Sequence, residues 1–299
     1  MSLARFLFAA AMLGGAADCA GDAVDAAYSA QIAHWRQQRL QALTAADGWL
    51  ALVGFDWLRP GTQTVGRASD NAIVLPVGPA HLGVITLATD GRVRLDLAAD
   101  AGATIDGEAV RSALLRDDRD ARPSAVHFGT ASLYLLDRSG RKALRIKDST
   151  ATTRMAFRGL DSFPIDPSWR VEARFERFDP VQHVELATGA GTIERNVVPG
   201  RIVFERAGQR YTLLPILEAP GDTRLFVVFA DRTSGHETYG AARFLYVDAV
   251  RDGRVVLDFN RAYNPPCAFT AFATCPLPPP ENRLSLRITA GELTYRGEH

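Results

Sequence analysis

The chain carries no excess charge of either sign: 34 lysines and arginines meet 34 aspartates and glutamates. Such a balance offers no overall basic field for nucleic acid and no acidic field for a cationic partner. Cysteine is scarce, with three in 299 residues. Beyond the N-terminus no segment stays apolar for the length a membrane helix requires. The common catalytic signatures are also missing. There is no Gly-x-Ser-x-Gly elbow, no His-Glu-x-x-His, no Gly-x-x-x-x-Gly-Lys loop and no Gly-x-Gly-x-x-Gly after a strand. The six histidines (His34, His81, His127, His183, His236 and His299) are dispersed, and neither inner cysteine has a second ligand at a short interval. No cofactor or metal is therefore expected.

What is present describes a folded β protein. Hydrophobic residues make up 47%, and 25 glycines and 16 prolines punctuate short alternating runs. Arg5, the apolar residues 6–13 and the small residues Gly15, Ala16 and Ala17 read as a secretory signal over residues 1–17. The expected location is the periplasm. A lipid-anchored envelope protein is the alternative, through Cys19, although Asp18 and Ala16 depart from a lipoprotein box and membrane contact is expected only if that cysteine is acylated.

Export favours a disulfide between Cys267 and Cys275, which would pin a proline-rich loop by about 2–3 kcal/mol, with two buried free thiols as the alternative. Residues 24–48 form an expected helix, with Tyr28, Ile32, Trp35 and Leu43 near one side. Residues 49–150 read as a small β-sandwich, with hairpins at Asp90-Gly91 and at Ser139-Gly140. A polar seam over residues 150–153 precedes a second unit, residues 151–299. There some eight strands, including 171–178, 181–186, 191–196, 201–206 and 284–289, predict an antiparallel sandwich or barrel with a proline-rich loop at 260–284.

Two resemblances refine this reading. Gly66-Arg67, Asn71, His81 and Asp106-Gly107 resemble the order of motifs in forkhead-associated domains, β-sandwiches that bind phosphothreonine. Gly78 stands where that family has its phosphate-holding serine, and Asp106 where it has asparagine, so the likeness implies a fold rather than phosphopeptide binding. The longer resemblance is to the bacterial family called domain of unknown function 1684. It rests on Gly48-Trp-Leu-Ala-Leu-Val-Gly-Phe-Asp-Trp-Leu58, on Phe157-Arg-Gly-Leu-Asp-Ser-Phe-Pro164 with Trp169-Arg170, and on Glu237-Thr-Tyr-Gly-Ala-Ala-Arg-Phe-Leu245. Its most distinctive part runs from Leu257-Asp-Phe-Asn-Arg-Ala-Tyr-Asn-Pro-Pro-Cys-Ala-Phe269 to Cys275-Pro-Leu-Pro-Pro-Pro-Glu-Asn-Arg-Leu284. The resemblance implies relatives of similar architecture and no assigned reaction.

Polar residues crowd this last stretch, and a rigid loop holds side chains at fixed positions at low entropic cost. A pocket for a small polar or anionic ligand is expected, with Asp258, Asn260, Asn264 and Asn282 giving directed hydrogen bonds, Arg170 or Arg243 meeting an anion, and Trp169 or Tyr239 forming an apolar wall. A cavity bordered by Arg170, Tyr239, Arg243 and Asn260 would express that reading. The same Asn and Asp side chains can instead satisfy the backbone of an irregular loop. If the chain is a hydrolase-like enzyme, Asp258 or Glu237 as general base and Arg243 at a developing oxyanion is the arrangement to test. A third reading is a non-catalytic interaction module of the envelope, and the oligomeric state is left open.

Overall fold

The structure, a computed structural model, describes residues 16–297, with side chains from Asp25 onward. The expected signal, residues 1–17, lies outside the described residues apart from the backbone of its last two, and the side chain of Cys19 lies outside them as well. Helix α1 (Ala16–Thr44) starts earlier and stops sooner than its apolar pattern suggests. Tyr28, Ile32 and Leu43 are buried along one face of it, as a 3.6-residue repeat requires.

Ten strands follow: β1 (Leu52–Trp57), β2 (Gly61–Gly66), β3 (Ile73–Val74), β4 (Gly83–Leu87), β5 (Val93–Leu97), β6 (Ala103–Ile105), β7 (Ser112–Leu115), β8 (Ala125–Phe128), β9 (Ala131–Arg138) and β10 (Arg141–Asp148). They form two five-stranded sheets, β1-β10-β9-β8-β6 and β3-β2-β4-β5-β7, antiparallel except for β2 beside β3. Their inner faces share one core, with Val65, Ile85 and Leu95 from one sheet against Leu133, Leu144 and Ile146 from the other. Alternation explains the outer face. On β10 Arg145, between Leu144 and Ile146, sits outside the core in a cross-strand row with Phe55 and Tyr134.

The polar stretch at residues 150–153 is partly helical, in the short α2 (Thr152–Met155). Beyond it, residues read as separate strands fuse. β11 (Arg170–Ala187) and β12 (Ile193–Arg206) make one long hairpin whose register shifts between Arg177 and Gln182, around a cis Asp179-Pro180 bond. The proline interrupts the alternation without ending the strand, because the bulge absorbs the mismatch. β13 (Gln209–Leu213) and β16 (Arg254–Asp258) complete the sheet β13-β12-β11-β16. β14 (Leu225–Phe229) and β15 (Arg243–Val247) pair separately. β14 is buried on both faces, with Leu225, Val227 and Phe229 in one core and Phe226 and Val228 in another, which accounts for its unbroken apolar run. No strand forms over residues 284–289, where the chain makes only isolated contacts such as Leu284 N–H to the Ala230 carbonyl.

Candidate functional site

Most of the sequence-selected polar residues are brought close to one another, and their hydrogen bonds are spent on the fold. Asp258 caps a short 3₁₀ turn, Phe259–Arg261, accepting from the Asn260 N–H, and its Oδ1 also accepts from the Tyr28 hydroxyl at 2.7 Å. Arg261 stands 3.4 Å from the other oxygen. Burial, helped by the hydrogen bond to Asp258, pushes the Tyr28 phenol well above its ordinary range. Asn260 is closed to solvent; it donates to Tyr28 and to the Asp166 carbonyl and accepts from the Asp166 N–H. Asn282 does the same for strand ends, accepting from the Leu214 N–H and donating to the Leu214 and Val228 carbonyls. Asn264 donates to the Leu293 carbonyl, while its backbone N–H reaches Glu292 at 2.7 Å. Gly291 lets this segment close in: its φ is +84°, and a Cβ there would stand 2.4 Å from the Ala262 carbonyl oxygen.

Arg243 also differs from its expected role. The guanidinium is fully buried, donating to the Ala290 and Ile288 carbonyls and to Asp231 at 3.1 Å, over the Phe229 ring. Burial lowers its hold on its proton, and Asp231 counters this. The side chain is closed to solvent, so a developing oxyanion has no access. Glu237 is paired with Arg287 instead. Trp169 is a core ring, edge-on to Phe259 and covered by the Arg206 guanidinium 4.2 Å from its centroid. Tyr239 donates to the Cys267 carbonyl on the far side of the loop. Arg170, Tyr239, Arg243 and Asn260 therefore do not border one cavity.

Cys267 and Cys275 are free thiols here, although they face each other: each sulfur accepts the other residue's backbone N–H, at 3.1 and 3.3 Å. The hydrogen bond from Cys275 lowers the Cys267 thiol against its burial, with help from Arg145, and the same contact and burial raise Cys275.

Sequence reasoning passed over the helix side of this network. Arg39 donates to Glu292 at 3.1 Å and to the Asn264 carbonyl, and Arg36 to the Phe163 carbonyl. Burial holds Glu292 above the usual carboxylate range, partly offset by Arg39. The signal was available, since Arg39 repeats in register with Tyr28, Ile32 and Leu43 on the face the helix buries.

The open space lies beside these residues. A cavity of about 760 Å³ is flanked by Arg170 and Asp258 from the sequence-selected set, together with Arg224, Tyr246, Asp248 and Arg251. The Arg224 guanidinium lies 3.9 Å from the Tyr246 ring centroid, and the Tyr246 hydroxyl donates to Glu218. A neighbouring cavity of about 560 Å³ shares Arg224, Tyr246, Asp248 and Arg261 and adds Trp35 and Tyr263, so the two form one groove between α1 and the β14–β15 sheet. Among the described residues no group of His, Cys, Asp and Glu could hold a metal ion.

Fold and groove together define a mainly β protein with one helix laid across its second set of sheets and an arginine-bearing cleft beneath that helix. The chain belongs to the family described as protein of unknown function DUF1684, whose profile matches residues 155–293. It is similar to an uncharacterized protein of Haloarcula marismortui solved by solution NMR, at 32% identity over 47% of this chain and 79% of that one, with a TM-score of 0.40. No curated protein matches.

Proposed function

We propose that the protein binds a small anionic ligand in the cavity of about 760 Å³, without transforming it. The observation that carries this reading is the convergence there of Arg170, Arg224 and Arg251, none of which forms an ion pair among the described residues. Guanidinium groups recognise carboxylates and phosphates through paired donors, and three on one concavity concentrate that capacity. Tyr246 offers a flat wall and Asp248 an acceptor, so the ligand is expected to carry a hydroxyl or amine donor beside its acid. All the flanking residues except Gln31 fall within the family-matched segment, which supports a role common to that family.

Binding is preferred to catalysis because Asp258 is already held by Tyr28, Asn260 and Arg261. An exported, periplasmic setting is part of the proposal and rests on the N-terminal sequence. A thermal-shift screen of the mature protein against hydroxy acids, amino acids and sugar phosphates tests it. A true ligand at a hundredfold excess over its Kd raises stability by about 2.7 kcal/mol. Arg224→Gln and Arg170→Gln should abolish the shift, and a shift that survives both would remove this cavity from consideration. Silence across the screen would favour an envelope interaction module.

A further inference from the structure

We infer that a second cavity, between the outer face of the β1-β10-β9-β8-β6 sheet and the loop ending at Cys275, is a phosphate site organised by Arg145, Arg138 and Thr274. This cavity has a volume of about 940 Å³; it adjoins the end of the groove under α1 with a volume of about 560 Å³ through Trp49, Glu218, Phe226 and Phe244, and does not reach Arg170 or Arg251.

Arg145 stands on β10. It is 2% exposed, and among the described residues no carboxylate stands within ion-pair distance of it. Its Nε has no hydrogen-bond partner. A charge taken out of water and left without a counter-charge is costly, and proteins ordinarily pair it. Its neighbours are the Thr274 hydroxyl at 3.2 Å, the Tyr134 side chain, and the rings of Trp49 and Phe55 at 5.7 and 5.8 Å, and none of them is a carboxylate.

The Thr274 hydroxyl oxygen accepts from Arg145 and from the Arg138 Nε, both at 3.2 Å. Two guanidinium groups thus converge on one neutral atom. A hydroxyl has two acceptor positions and one proton, so with both acceptor positions used it can only donate. Two cations and one outward hydroxyl proton together ask for an acceptor of opposite charge. Arg138 has its own acids, Asp118 at 2.7 Å and Glu194 at 3.6 Å, and Glu218 is taken by Tyr246. The unanswered charge is therefore that of Arg145.

The Thr274 hydroxyl proton, the unpartnered Arg145 Nε and the guanidinium nitrogens not bonded to Thr274 surround one point, which suits a tetrahedral oxyanion better than a planar carboxylate, which uses two donors in a plane. The cavity is much larger than phosphate itself, so the ligand class is a phosphorylated small molecule whose remainder lies along Asn196 and Ile216. Arg145 and Arg138 come from the first set of sheets and Thr274 from the loop that ends at Cys275, so the bound group would bridge sheet and loop.

Isothermal titration of the mature protein with inorganic phosphate, and in parallel with sodium chloride at equal ionic strength, tests the inference. Saturable phosphate binding without a chloride counterpart is expected, weakened at least tenfold in Arg145→Gln and also weakened in Thr274→Val, which leaves the guanidinium in place should Arg145→Gln fail to fold. Phosphate binding that persists in Arg145→Gln and is lost only when Arg224→Gln is added would place the phosphate in the groove under α1 and overturn the inference. No saturable binding, an equal response to chloride, or full affinity in Thr274→Val would overturn it and leave Arg145 as a structural cross-link.

Discussion

The Tyr28 hydroxyl donates to Asp258 across 2.7 Å of space and 230 residues of chain. The same oxygen accepts from Asn260, so a single phenol ties the first helix to the end of β16 and to the turn that follows it. Tyr28→Phe removes one donor and one acceptor from a buried network. A loss of roughly 1–3 kcal/mol is expected, seen as an earlier urea midpoint with an unchanged m-value. A variant as stable as the parent would mean that water replaces the phenol.

Arg243 and Asp231 should behave as a buried pair whose members cannot be removed singly. Arg243→Met leaves the Asp231 carboxylate without its cation and should cost about 3–5 kcal/mol. Arg243→Lys should recover only part of that, because one ammonium cannot serve Asp231 and two carbonyls in the plane a guanidinium spans. Chemical denaturation of the three proteins orders them.

Cys267 and Cys275 are expected to close to a disulfide when exposed to an oxidised thiol reagent, the lowered Cys267 thiol attacking first and Cys275 resolving the mixed disulfide. Mass spectrometry after alkylation should show three alkyl groups added to the reduced protein, one of them on Cys19, and only that one after oxidation. The bridged form should be more stable by about 2–3 kcal/mol. Persistence of two reactive thiols under oxidant would count against the bridge.

Lys142 lies between Asp137, at 2.7 Å, and Asp117, and gives the first set of sheets a pH window. Burial works against the charge on Asp137, yet its contacts to Lys142 and the Gly140 N–H bring it below its ordinary 3.8. That stabilisation is present above pH 3.8 and is lost as pH falls through the lower folded-state value. Burial also opposes the charge on Lys142, but Asp117 and Asp137 raise it above 10.5, so its share holds below that pH and fades as pH climbs through the higher value. Lys142→Met should therefore lose stability at pH 7 and much less at pH 2, read from thermal melts at both.

Much of the architecture is legible in local pattern. The buried stripe of α1 follows from the spacing of Tyr28, Ile32 and Leu43, and the hairpin joining β9 and β10 from Ser139-Gly140 between alternating runs. The fused strands β11 and β12 are harder to see, because a proline that usually ends a strand sits here in a bulge. The polar density of residues 258–282 is equally plain, but its meaning is not. A sequence shows that Asn260, Asn264 and Asn282 have donors and acceptors; it does not show that each is used by backbone from another part of the chain.

Sequence alone thus determined the class of fold, the family to which the chain belongs, and the segment where polar chemistry concentrates, since each depends on neighbours a few residues apart. Tertiary structure decided which polar groups are spent and which are free. It turned Asp258, Asn260 and Arg243 inward onto Tyr28, Asp166 and Asp231, left Arg170 and Arg224 along the groove, and buried Arg145 with no carboxylate beside it. The reason is physical: a buried polar group must find its partner wherever the fold brings one, and that distance in sequence is unbounded.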